Sequence, residues 1–147
     1  MARVVAVNVS VNRTDPKVDV GGAELRAHHG VVGDSHAGLN EREVSLLAME
    51  TIVEVNREHD IGAIPGSFAE NLTVEGLDLM TLRVGDRLSV GQALLEVVQL
   101  GKPSDATHTY SFRGTSVLPS KGIFCRVVRG GVVSRGDALQ VLPREEP

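Results

Sequence analysis

The stretch GDSHAGLNEREVSLL, residues 33–47, holds the side chains best suited to bind an anion. His36 and Arg42 supply an imidazole and a guanidinium, and Ser45 opens an apolar run. A helix that begins at Ser45 would add unpaired N–H donors and a partial positive charge of roughly half a unit. The pattern therefore predicts an anion site here. The alternative is that Arg42 solvates a loop while His36 bonds to a buried carbonyl.

Lys102 is a second candidate cation, in the turn that follows a long strand pattern. It could donate a charge-assisted hydrogen bond to a phosphate, or it could be a solvated loop lysine. The chain as a whole is acidic, with 15 basic and 19 acidic residues and a net charge of −4. An anionic ligand would therefore need a local basic pocket, since the overall field is unfavourable.

Composition excludes several classes of function. Four aromatic residues in 147 offer little surface on which bases could stack, so nucleic-acid binding is not expected. No apolar run approaches the roughly 20 residues that span a bilayer, so no membrane association is expected. The first residues, MARVVAVNVSVNRTD, alternate like a strand and do not resemble a signal peptide. The single cysteine permits no internal disulfide, and together these features favour a cytoplasmic protein.

Alternating apolar and polar residues predict strands over most of the chain. The pattern occupies residues 3–11, 18–34, 70–76, 86–100, 122–131 and 137–143. Gly21 and Gly22 predict a hairpin turn, and the similar segments 83–90 and 134–141 predict a recurrent Gly-Asp entry into a strand. Many short strands with close turns predict a mostly β fold, a closed or nearly closed β-barrel in one domain over residues 1–147.

Residues 45–59 interrupt this pattern with apolar residues at helical spacing. Ser45 is the predicted N-cap, because its side-chain oxygen can accept from the free N–H groups of the first turn. Gly62 and Pro65 then end the helix. The sequence thus predicts one main helix near 45–59.

Neither the cysteine nor the histidines predict a further reactive centre. Cys125 alternates with aliphatic residues on one strand face, which is typical of core packing and not of a reactive thiol. Asp34 and His36 are two apart and would point to one side of an extended chain. His28 and His29 are adjacent and would point to opposite sides, so a dedicated zinc site is not favoured.

Several motifs, in their order along the chain, resemble those of small bacterial MOSC-domain proteins: GDSHAG, REVSLLA, PGSFAENLTVEGLDL, VGDRLSVGQALLEVVQLGKP and GIFCRVVRGGVV. MOSC names the C-terminal domain of molybdenum-cofactor sulfurases, and the resemblance covers residues 3 to 142. It implies a mostly β barrel of the pyruvate-kinase-barrel type with peripheral helices. It also implies binding of the molybdenum cofactor, a pterin that carries a phosphate and a dithiolene-held molybdenum.

The resemblance implies that the 33–47 stretch lines the mouth of a barrel pocket that holds the cofactor. Asn71 falls in the segment that matches the family's ligand-facing strand, although it could equally cap a turn. The implied cofactor-binding residues are Gly33, Asp34, His36, Arg42, Ser45, Asn71 and Lys102.

Ser104 stands where family members usually have the cysteine that carries sulfur or binds molybdenum. A thiolate can accept sulfane sulfur, whereas a serine hydroxyl cannot form a persulfide. Ser104 could still bind molybdenum as an alkoxide, or hydrogen-bond to an oxo group. It is therefore the candidate catalytic and metal-binding residue, and its presence argues against sulfur carriage.

Three functions remain open. The favoured one is an accessory protein that binds the molybdenum cofactor or carries molybdenum-bound sulfur, with a molybdoenzyme as partner. The second is a molybdenum-dependent reductase of N-hydroxylated substrates. It would need an electron-transfer partner, because the chain has no cysteine set for an iron–sulfur cluster. The third is a non-catalytic barrel that binds another small anion or a protein. Pyridoxal phosphate is not expected, since it belongs to a separate domain of longer proteins.

Overall fold

The computed structural model describes residues 1–101 and 111–144. The strands in these ranges are β1 (Arg3–Val9), β2 (Val18–Asp19), β3 (Gly22–Arg26), β4 (Gly30–Val31), β5 (Val44–Ala48), β6 (Leu72–Glu75), β7 (Arg87–Val90), β8 (Ala93–Leu100), β9 (Ile123–Arg129), β10 (Gly131–Ser134) and β11 (Leu139–Val141). The helices are α1 (Met49–His59), α2 (Leu118–Lys121) and a short 3-10 turn at Leu79–Thr81. The predicted mostly β fold with one main helix is confirmed.

Eight of these strands form one curled sheet in the order β11-β7-β8-β9-β5-β6-β1-β2. Backbone hydrogen bonds bring its ends together: Val4 donates to Asp137 O at 2.8 Å, Gly136 donates to Val4 O at 2.8 Å, and Leu139 donates to Ala2 O at 3.1 Å. β1 thus lies beside the residues that lead into β11. The expected nearly closed barrel is confirmed, and a second sheet, β10-β3-β4, lies beside it.

The apolar residues form two cores, one on each side of β5. Leu46 faces the barrel interior together with Leu72, Leu95 and Ile123. Leu47, its neighbour in sequence, packs with Phe68 and residues of α1 in the second core. Because alternate residues of a strand face opposite sides, β5 is buried on both faces, and all five of its residues are buried.

The double burial of β5 explains an error in the predicted helix boundary. A strand that is apolar on both faces reads as a continuous apolar run, which periodicity alone does not distinguish from a buried helix. The helix begins at Met49 after Ala48, which makes no side-chain capping bond. The prediction that Ser45 caps the helix is wrong, because Ser45 lies inside β5. The predicted end of the helix agrees with the structure at His59.

The Gly21–Gly22 pair is likewise not a hairpin turn. β2 pairs with β1, whereas β3 pairs with β10 and β4, so the chain passes from one sheet to the other at this point. The two Gly-Asp entries are confirmed. Gly85 and Gly136 both have positive φ, +97° and +91°, and the strands that follow them, β7 and β11, are hydrogen-bonded neighbours.

Candidate functional site

A buried carboxylate lies at the centre of the 33–36 turn. Oδ1 of Asp34 accepts from Nζ of Lys17 at 2.7 Å and from the N–H of Ser10 at 3.0 Å. Oδ2 accepts from Nδ2 of Asn71 at 3.1 Å and from the N–H of His36 at 3.2 Å. We call the connected set the Asp34 cluster: Ser10, Lys17, Asp34, Ser35, His36, Ser45 and Asn71.

The ion pair in this cluster is fully enclosed, since the side chains of Lys17 and Asp34 are each 1% exposed. Burial raises the pKa of Asp34, but the hydrogen bonds from Lys17, Ser10 and Asn71 and the charge of Lys17 outweigh it. The pKa of Asp34 therefore lies below its ordinary value, and the carboxylate is ionised at neutral pH.

The loop from residue 64 to residue 71 holds Lys17 in place. The N–H of Lys17 donates to Gly66 O at 2.9 Å. Gly66 has a φ of +92°, and a Cβ there would lie 2.2 Å from the carbonyl oxygen of Lys17. Only glycine allows this approach of the two backbones. The PGSFAEN motif thus positions a lysine that is remote from it in sequence.

Asn71 ties the turn to the barrel wall. Its Oδ1 accepts from the N–H of Ser45 at 3.0 Å, and its own N–H donates to Oγ of Ser45 at 3.0 Å. Its Nδ2 also donates to Asn8 O at 3.3 Å, as well as to Asp34. Asn71 and Ser45 are both buried and bond to each other, so their role in the structure is to position the cluster.

His36 and Ser35 are the partly exposed members of the cluster, and 40% of the side-chain surface of His36 is accessible. Its Nδ1 lies 3.1 Å from Nζ of Lys17 and 3.3 Å from Oγ of Ser35. Gly33, the first residue of the turn, has a φ of +91°. No atom lies within 4 Å of the position that a Cβ at Gly33 would occupy.

Arg42 contacts residues other than those of the Asp34 cluster. The guanidinium carbon of Arg42 is 6.0 Å from the centre of the Phe124 ring, a cation–π distance. The backbone N–H of Arg42 donates to Oδ1 of Asn40 at 2.8 Å. Phe124 is the cross-strand partner of Ser45. Arg42 is therefore connected to the Asp34 cluster through the β5–β9 pair and does not belong to it.

Lys102 and Ser104 lie outside the described residues, so their predicted roles remain predictions. The last described residue before them, Gly101, donates from its N–H to Gly122 O at 2.8 Å, at the start of β9. β9 also carries Phe124, the ring beneath Arg42.

The N-terminus of α1 is not part of this site. It borders a groove of 330 Å³ whose lining includes Glu50, Glu54 and Asp78. Oε2 of Glu50 accepts from the N–H of Gly76 at 2.9 Å in the first turn of the helix. The prediction that the helix start supplies the positive edge beside His36 and Arg42 is therefore wrong, because the helix begins at Met49 and its first turn borders this groove, where Lys121 is outnumbered by the three acidic side chains.

A second buried carboxyl lies next to the cluster and is absent from the sequence-based candidates. Glu70 is 0% exposed; its Oε2 accepts from Gly66 N at 3.0 Å and from Oγ1 of Thr73 at 2.7 Å. Burial raises the pKa of Glu70 despite these hydrogen bonds. Its Oε1 and Oδ1 of Asn8 have no hydrogen-bond partner in the described part of the chain. A neutral carboxyl or a bound water would satisfy these atoms.

The chain's lone thiol is sealed in the barrel. Cys125 is 0% exposed, on β9 between Ile123 and Val127 of the main core. Burial, followed by the charge of Glu96, raises its pKa far above the ordinary value. The prediction that it packs in the core is confirmed. In the ranges 1–101 and 111–144, no group of three His, Cys, Asp or Glu side chains could hold a metal ion.

A comparison with known protein families identifies the family of the chain. The sequence model of the MOSC domain matches residues 33–140, well over half of the chain. The chain belongs to the MOSC-domain family. That family is linked to binding of the molybdenum cofactor. A search of curated proteins finds no match to this MOSC protein.

Solved structures share its fold. YiiM from Geobacillus stearothermophilus is 22% identical with a TM-score of 0.72, over 98% of this chain and 76% of that one. YuaD from Bacillus subtilis is 20% identical with a TM-score of 0.75, over 96% of both chains. YiiM from Escherichia coli is 23% identical with a TM-score of 0.69, over 100% of this chain and 72% of that one. At these identities the likeness shows the fold alone.

The described residues of this MOSC protein suit one end of the molybdenum cofactor. Arg42 and His36 are nitrogen donors at least partly exposed to solvent, which suits a phosphate. A thiolate ligand for molybdenum is not available, because Cys125, the single cysteine of the chain, is enclosed. None of the described helices is long and apolar enough to cross a membrane.

Proposed function

We propose that this protein is a non-catalytic accessory factor that binds the molybdenum cofactor by its phosphate and carries no sulfur. One observation carries the proposal: the only thiol is sealed in the core, whereas the nitrogen donors His36 and Arg42 reach the surface. A sulfur carrier needs an accessible thiolate. A phosphate-binding protein needs donors, and this chain retains them.

The buried cluster supports this function by holding one donor rigid. Asp34 accepts four hydrogen bonds, from Lys17, Ser10, Asn71 and the N–H of His36. The backbone at His36 is therefore fixed before any ligand arrives. A preorganised donor loses little entropy on binding, which raises affinity without additional contacts.

The cofactor would supply the molybdenum and its dithiolene, and the protein would supply binding and orientation. Arg42 and His36 would hold the phosphate, together with Lys102 as predicted from the sequence. Ser104 is proposed to face the molybdenum as a hydroxyl donor or ligand. Gly33 would leave room beside the turn, since no atom lies within 4 Å of the position of its missing Cβ.

Calorimetric titration with a phosphate-bearing pterin, and with the same pterin lacking phosphate, tests the proposal. Charge-assisted hydrogen bonds are worth about 1.5–3 kcal/mol each, so Arg42→Ala or Lys102→Ala should weaken binding of the first ligand about ten- to a hundredfold. His36→Ala should also weaken it. The phosphate-free pterin should bind poorly to all variants, with little difference among them.

Arg57→Ala is the matched control, because Arg57 is an exposed arginine on α1 that lines a separate groove together with Glu50, Glu54 and Glu58. It should bind the phosphorylated pterin like the wild type. Folded variants of Arg42, His36 and Lys102 that all bind like the wild type would contradict the proposal. In that case the barrel binds another anion or a protein partner.

A further inference from the structure

Lys17 contacts three acceptors and lies in the middle of the Asp34 cluster. Its Nζ is 2.7 Å from Oδ1 of Asp34, 3.1 Å from Nδ1 of His36 and 3.2 Å from Oγ of Ser10. Its side chain is 1% exposed, so no solvent competes for these contacts. An ammonium has three N–H donors and no acceptor, and the three contacts use all of them.

The donors of Lys17 dictate the role of each partner. Nδ1 of His36 must accept, and a neutral imidazole that accepts at Nδ1 carries its proton at Nε2. Oγ of Ser10 must likewise accept from Lys17, so its own proton points to Oγ of Ser35, 2.8 Å away. A proton on Nδ1 of His36 would face the ammonium at hydrogen-bond distance, with like charges adjacent.

We propose that Lys17 is a positioning residue that holds His36 as the neutral Nε2–H tautomer, so that His36 acts on its anionic ligand as an uncharged hydrogen-bond donor. This inference deepens the proposed function and rests on it for the identity of the ligand. A neutral imidazole supplies no positive charge to the site. The positive charge comes instead from Arg42 and from Lys102, which the sequence predicts as a second cation of the site. His36 contributes a hydrogen bond of fixed orientation.

Among the described residues, the groups near Nδ1 come from two segments of the chain, the loop before β2 and the 33–36 turn. Lys17 reaches Nδ1 from the loop before β2, Ser35 lies beside it in the turn, and Oδ2 of Asp34 is 4.0 Å away. Asp34 is already saturated by four donors, so its charge stabilises Lys17 first. The aspartate thus acts on the imidazole through the lysine.

Nitrogen NMR of the imidazole rings in the full-length wild-type protein tests the inference directly. The protein is labelled with ¹⁵N-histidine, and the signals of His36 are assigned by their loss in His36→Gln. At neutral pH, Nδ1 should show the shift of an unprotonated acceptor and Nε2 that of a protonated nitrogen. His59, on the last turn of α1, provides an exposed reference ring in the same spectrum. A proton on Nδ1, or on both nitrogens, would overturn the inference.

Lys17→Met provides the second arm, because methionine keeps the length of the side chain and removes its donors. The tautomer of His36 should then change, either to a mixture or to the imidazolium. Lys121→Met, at an exposed lysine, should leave the spectrum unchanged. A folded Lys17→Met protein with the wild-type tautomer would refute the role of Lys17. If Lys17→Met does not fold, the wild-type spectrum alone decides.

Different experimental results would contradict the proposed function and the inference about Lys17. A wild-type protein that does not bind the phosphate-bearing pterin contradicts the proposed function, whatever the NMR spectrum shows. A wild-type protein that binds it with Nδ1 protonated contradicts the inference about Lys17 and leaves the proposed function intact.

Discussion

Replacing Asp34 with asparagine tests how strongly the site depends on its buried ion pair. The carboxylate accepts four hydrogen bonds, two on each oxygen. Asparagine has only one acceptor oxygen. Its amide nitrogen, which is itself a donor, would replace the second carboxylate oxygen and would face two N–H donors. The variant also leaves the ammonium of Lys17 without a counter-charge in an enclosed site.

Breaking a buried ion pair by removal of one partner costs about 3–5 kcal/mol. Since a domain of this size is typically stable by about 5–15 kcal/mol, Asp34→Asn should lose a large part of the free energy of unfolding. Asp15→Asn, at an exposed aspartate just before Lys17, should change it by no more than about 0.5 kcal/mol. The double variant Lys17→Met/Asp34→Asn should be more stable than Asp34→Asn, because it contains no unpaired charge.

Urea unfolding followed by far-ultraviolet circular dichroism gives these free energies, and its pH dependence adds an independent check. The pKa of Asp34 is lower in the folded chain than in the unfolded chain. Its stabilising contribution is therefore present above the unfolded value and is lost as pH falls through the folded one. The advantage of the wild type over Asp34→Asn should shrink below about pH 4. A loss under about 1 kcal/mol at neutral pH would refute the enclosed ion pair.

Three further outcomes follow from the geometry. Because the pKa of Glu70 is raised in the folded chain, its contribution to stability falls as pH rises above the pKa of the unfolded chain. Glu70→Gln should therefore make the free energy of unfolding less dependent on pH, as measured by urea unfolding at acidic and at alkaline pH. Cys125 should resist a mild thiol reagent until the protein unfolds, and should gain no cyanide-labile sulfur from a cysteine desulfurase; rapid native labelling would contradict the sealed core. Gly66→Ala should destabilise far more than Gly136→Ala, since both glycines have φ near +90° but only the first meets a backbone oxygen, at 2.2 Å. Equal losses of unfolding free energy would show that strain alone matters.

The sequence was sufficient for the fold because strand alternation and turn glycines are local signals. β1, β6, β9 and the β7–β8 hairpin lie within the segments that the alternation predicts. The helix start was misplaced because β5 is buried on both faces and therefore lacks alternation. Tertiary burial, which no local window contains, decides such a case.

The site was predicted in part. Asp34, His36, Ser45 and Asn71 do lie in one hydrogen-bonded set, although Ser45 contributes as a strand residue and not as a helix cap. Lys17 was missed, because its burial depends on a loop about 50 residues further along the chain, at Gly66. A lysine in a polar segment gives no sequence signal that its ammonium is enclosed.

Direct loading of the protein with cofactor tests the central claim most plainly. Molybdenum cofactor released anaerobically from a donor molybdoenzyme is mixed with the wild-type protein and passed over a gel-filtration column. The protein fraction is then assayed for pterin, molybdenum and cyanide-labile sulfur. We expect pterin and molybdenum in equal amounts with the protein and reduced binding in Arg42→Ala. We also expect no cyanide-labile sulfur attached to the polypeptide after the cofactor is removed. Protein that elutes without pterin, or that retains such sulfur, would contradict the central claim.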